Sequence, residues 1–162
     1  MQNTHEPIEI LSPKQIALLQ EGYNYEIMKA AFTASLVVPF EPAGRWVLTM
    51  TEHFYDVELA PTGCTMSPVD RERVMLTLLA AQGGSELGIH VYWAMALPDG
   101  LTPLQIADIF YLVAAYEGVD AYRRSLKVLQ QVQTALAEAL DEGITIPTRE
   151  LFQRIVAASQ VI

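Results

Sequence analysis

His90 and Glu86 are the pair in this chain whose types and spacing best suit acid–base chemistry. Four residues apart on a helix, they share one face, and Trp93, Ala94 and Leu97 continue that face in an apolar setting. A carboxylate beside a desolvated imidazole orients the ring and holds a proton on one nitrogen, which leaves the other nitrogen to give or take a proton. The same spacing also describes a core histidine satisfied by its neighbour. A zinc site is not expected, because two ligands at helical spacing fall short of the three or four that zinc needs, and no motif places His5 or His53 to complete the set.

Arg71-Glu72-Arg73 follows a helix start. Positive charge near a helix N-terminus is mildly unfavourable, so an arginine there calls for a specific anion, either a protein carboxylate in an ordinary ion pair or a ligand. Tyr116 is a hydroxyl donor for a pocket or a packed ring, and Tyr92 with Trp93 either walls a pocket or fills the core. Cys64 has neither a second thiol nor an adjacent histidine, so it reads as a bystander. Glu138, Asp141 and Glu142 read as a solvated helix end. The sequence holds no Walker loop, no dinucleotide fingerprint, no G-x-S-x-G and no H-E-x-x-H.

The elements that must position these residues are helical. Ser12-Pro13-Lys14-Gln15 and Thr102-Pro103-Leu104-Gln105 each supply a cap, a proline at the first helical position and a residue able to close a capping box. Leu101 and Ile106 stand at the positions of a hydrophobic staple. Ser67-Pro68-Val69-Asp70, Ser85-Glu86 and Pro147-Thr148 mark further starts, and Gly118 and Gly143 mark stops. The first helix is expected to bend or restart near Gly22 and run to about Ser35. Tyr122, Leu126, Leu129, Val132, Leu136 and Leu140 form an amphipathic stripe on a helix from Val119 to about Glu142, and Leu151, Phe152, Ile155, Val156 and Ser159 form another near the end of the chain. Val74–Ala81 and Ile89–Leu97 are apolar nearly all round, which predicts a central helical hairpin partly covered by another subunit. Residues 39–66, with three prolines and two glycines, read as an irregular loop with one short helix near Thr51–Tyr55.

Composition sets the outer limits. The chain has 162 residues, 19 acidic and 10 basic, for a formal charge of −9, and half of it (51%) is hydrophobic. That suits one all-α domain over 1–162 with a full core, and it excludes disorder and a disulfide-stapled scaffold. The acidity is even: residues 1–81 hold 5 basic and 10 acidic side chains and residues 82–162 hold 5 and 9, so no nucleic-acid partner is expected. The stretch Met1–Glu6 has no basic region followed by an apolar run, and the apolar run Ile109–Tyr116 is far too short to span a bilayer, so a cytoplasmic protein without a membrane partner is expected.

The ordered set Pro68–Val74, Gly84-Ser85-Glu86-Leu87-Gly88-Ile89-His90, Asp99–Ile106 and Ala115–Val119 resembles the carboxymuconolactone decarboxylase family over roughly residues 67–133. The resemblance implies the all-helical alkyl-hydroperoxidase D-like bundle and a ring-like homo-oligomer, a trimer or hexamer. It implies a cofactor-free lyase that converts 4-carboxymuconolactone to 3-oxoadipate enol-lactone and carbon dioxide in aromatic-acid breakdown. The peroxidase branch of that fold carries C-x-x-C-x-x-x-H; here its cysteine positions fall on Gly83 and Glu86, so a two-thiol cycle is not expected. The roles implied are His90 as proton donor, Glu86 as its orienting carboxylate, Arg71 or Arg73 as anchor for a small acidic substrate, Tyr116 as hydrogen-bond donor and Trp93 as a wall. The helix over 148–162 lies beyond the family core and is expected to cover an interface or reshape the pocket. A non-catalytic oligomeric binding protein and, further off, a thiol-dependent antioxidant protein are the alternatives.

Overall fold

A computed structural model describes residues 8–23, 66–84, 86–141 and 146–159. Six helices occupy them: α1 (Pro13–Gly22), α2 (Pro68–Gln82), α3 (Leu87–Ala96), α4 (Pro103–Glu117), α5 (Val119–Asp141) and α6 (Thr148–Ser159). Among the described residues there is no strand, and no helix is long and apolar enough to cross a membrane. The expected loop over 39–66, save its last residue, lies outside the described residues, as do the helix near Thr51–Tyr55, the continuation of the first helix to Ser35, Cys64, Ser85 and the stop at Gly143.

The helix starts follow the chemistry of their caps. The Ser12 hydroxyl accepts from the Gln15 N–H while the Gln15 side chain accepts from the Ser12 N–H, and Thr102 and Gln105 repeat the arrangement. Ser67 caps α2 through the Asp70 N–H at 3.1 Å. α3 differs: it begins after Glu86, whose side chain makes no capping bond. The turn between α2 and α3 depends on Gly83, which takes the left-handed conformation (φ +70°) and donates to the Leu79 carbonyl.

α3 is the centre of the packing. Every residue from His90 to Leu97 is buried, together with Leu87 and Gly88. α2, α5, α6 and α1 all pack against it. Their contributions to the core include Leu76 and Ala80, Leu129 and Leu136, Leu151 and Ile155, and Leu19. α6 therefore covers the chain's own centre. The expectation of two all-round buried helices holds for α3 alone. α2 buries Leu76, Leu79 and Ala80 but leaves Val74 and Leu78 exposed at 45% and 49%. The outer side of α4 is also apolar and exposed, through Leu104, Tyr111, Leu112 and Tyr116.

Two buried polar groups tie the N-terminal part to the C-terminal half. Gln133, wholly buried, accepts from the Ile10 N–H at 2.9 Å and from the Leu11 N–H at 3.4 Å, and donates to the Ile8 carbonyl at 2.7 Å. Tyr92, on α3, donates to the Tyr23 carbonyl, and the Tyr23 hydroxyl donates to the Ile146 carbonyl at 3.1 Å. Burial pushes the Tyr92 phenol far above its ordinary range, with the nearby Tyr23 adding to the shift, so Tyr92 remains a neutral donor.

The chain leaves α3 through a tight turn in which Leu101 N–H donates to the Ala94 carbonyl at 2.7 Å. A Cβ on Gly100 would lie 2.5 Å from the Ala94 oxygen and 2.7 Å from the Leu97 oxygen, both backbone atoms that cannot swing aside. Gly100→Ala is therefore expected to lower stability by about 2 kcal/mol or more. Gln133→Ala, which strips partners from the backbone of residues 8–11, is expected to cost about 2–3 kcal/mol. Urea unfolding measures both, and amide exchange over residues 8–11 should accelerate in the Gln133 variant alone.

Candidate active site

The buried face of α2 starts one turn after its cap. Glu72, Leu76, Leu79 and Ala80 recur at helical spacing and turn inward, so a carboxylate is carried into the core with the apolar stripe. Glu72 is wholly buried. Opposite it, in the first turns of α3, His90 is 8% exposed. The hairpin through Gly83 brings the two together: Glu72 Oε2 lies 2.9 Å from His90 Nδ1. Trp93, one turn along α3, packs its ring edge-on to the imidazole with centroids 5.2 Å apart and planes at 80°.

An ionised carboxylate only accepts, so opposite a charged Glu72 the Nδ1 position is the one that carries the hydrogen. A positive charge on the ring would be balanced 2.9 Å away by Glu72. The second oxygen of Glu72, Oε1, is buried, and among the described residues no group donates to it.

The candidate residues fall into two groups. His90 and Trp93 are together, and Arg71 is buried beside Glu72 in sequence at 5% exposure. Glu86 does not take the orienting role expected of it. Its backbone carbonyl accepts from the His90 N–H, but its side chain is exposed and turned toward Gly84. The reason is its position just before the first turn of α3, on the surface side of the hairpin. Arg73 forms a surface ion pair with Asp70 at 2.6 Å, the ordinary alternative for that arginine. Hydrogen bonds from Ser67 and then Arg73 hold the Asp70 carboxyl below its usual range. Tyr116 is 90% exposed at the end of α4, away from the buried face that holds Glu72 and His90. Among the described residues no group of three His, Cys, Asp or Glu side chains is placed to hold a metal ion. An open groove of about 430 Å³ lies between α5 and α6, lined by Lys127, Gln131, Thr134 and Glu138 among others, and it shares no residue with the Glu72–His90 pair.

Glu72 is the residue that sequence reasoning passes over. Read within the run Arg71-Glu72-Arg73 it looks like one more charge at a helix start. The usable signal is its register: it precedes Leu76, Leu79 and Ala80 by four, seven and eight residues, the pattern of a buried stripe.

The sequence model of the carboxymuconolactone decarboxylase family matches residues 47–131, more than half of the chain. The chain belongs to that family. No curated protein and no solved structure matches it significantly. The matched stretch contains α2, α3, α4 and most of α5, and so both halves of the Glu72–His90 pair; α1 and α6 lie outside it. The all-helical architecture is that of the family and its alkyl-hydroperoxidase D-like relatives.

Replacing Glu72 by alanine removes the partner of His90 Nδ1 and opens a hole in the core, with an expected loss of about 3 kcal/mol in urea unfolding. Glu86→Ala changes an exposed side chain and should stay within about 0.5 kcal/mol. The reverse order would make Glu86 the partner of His90.

Proposed function

We propose that this family member is a cofactor-free lyase that decarboxylates a small lactone or carboxylic acid. The observation that carries the reading is the buried 2.9 Å contact between Glu72 and His90 Nδ1. Loss of carbon dioxide breaks the bond between the carboxylate carbon and its neighbour and leaves the electron pair on that neighbour as a carbanion delocalised into the adjoining carbonyl. The reaction is completed by a proton. His90, protonated on both nitrogens, gives the Nε2 proton to the carbanion carbon and returns to the neutral ring with its Nδ1 hydrogen still toward Glu72. Solvent then reprotonates Nε2. Glu72 fixes the ring and stabilises its charged form, in the place expected for Glu86. Trp93 forms one wall against the imidazole.

Arg71, buried and next to Glu72 in sequence, is the anchor for the substrate anion in this reading, and Arg73 lies at the surface with Asp70. A buried guanidinium counters both the substrate charge and the adverse field of a chain at −9. The reading also includes self-association as a trimer or hexamer. It rests on the exposed apolar side chains of α2 and α4, Val74, Leu78, Tyr111, Leu112 and Tyr116. A second reading, a non-catalytic oligomeric binding protein, is favoured by one observation: His90 is 8% exposed, as a core histidine satisfied by Glu72 would be.

The direct test is carbon dioxide release from 4-carboxymuconolactone. Turnover is expected to fall about 10²–10⁴-fold in His90→Ala. In Glu72→Gln, which keeps a hydrogen bond to Nδ1 but loses the charge, it should fall by about tenfold or more, while Glu86→Gln keeps wild-type rates. Undiminished turnover in the His90 and Glu72 variants would sink the catalytic assignment, and absence of turnover in the wild type would favour the binding protein.

Self-association is checked by sedimentation. The expected mass is three or six times 18.0 kDa at micromolar concentration. Leu78→Glu and Leu112→Glu should each shift the population toward single chains, since a charge set into an apolar contact opposes assembly. A wild-type mass of one chain would remove this part of the proposal.

A further inference from the structure

We draw no further inference here: the strongest candidate, the open groove between α5 and α6 lined by Lys127, Gln131, Thr134 and Glu138, carries nothing because its one unpartnered polar atom, the side-chain oxygen of Gln131, belongs to a half-buried glutamine on a solvated helix and nothing at the groove indicates a particular ligand.

Discussion

Placing a carboxylate in a helical core is costly unless a donor meets it there, and in this chain the donor comes from the very next helix. Glu72 on α2 and His90 on α3 are 18 residues apart, joined by a turn that exists because Gly83 accepts a positive φ. The depth of the pair, the one-sidedness of α2 and the complete enclosure of α3 are parts of the same arrangement. If α2 were displaced from α3, Glu72 would lose the donor that meets it. The packing of the other helices around α3 therefore also maintains the Glu72–His90 contact. Tyr92, two residues past His90, extends this control, since its hydroxyl is bound to the backbone after α1. The imidazole is thus held from the side by Glu72 and along its own helix by a hydrogen bond that reaches α1.

Most of the helical framework was legible in the sequence. Ser12, Ser67 and Thr102 act locally, through side-chain oxygens that reach N–H groups three residues away, so their effect does not depend on distant parts of the chain. The stripe on α5 was legible for the same reason: its period follows from helix geometry. The carboxylate that meets His90 was not. Glu86 and Glu72 are both glutamates near a helix start, and spacing within one helix favours Glu86. The choice of Glu72 is made by how α2 docks on α3, a tertiary fact with no short-range signature except the register of Glu72 with Leu76 and Leu79. Gln133 was hidden likewise, because its partners are backbone groups more than 120 residues away.

Apolar composition also proved an uneven guide to burial. α2 and α3 both read as hydrophobic all round, yet α3 is enclosed and α2 is not. α3 has the central position, with four of the described helices against it, whereas α2 leaves Val74 and Leu78 about half exposed. α6 packs on α3 although it falls outside the residues that the family model matches.

The Gln133 clamp has a consequence for the order of events during synthesis. The side chain that receives the backbone of residues 8–11 is made more than 120 residues after them, as is the Ile146 carbonyl that accepts from Tyr23. At about 5–20 residues per second, the N-terminal segment and α1 wait roughly 6–25 s for those partners. α2 and α3, by contrast, are complete within 29 residues of each other, from Pro68 to Ala96, and can close the Glu72–His90 pair while α5 is still unmade. The residues of the central pair are thus all made before the partners of the N-terminal part exist.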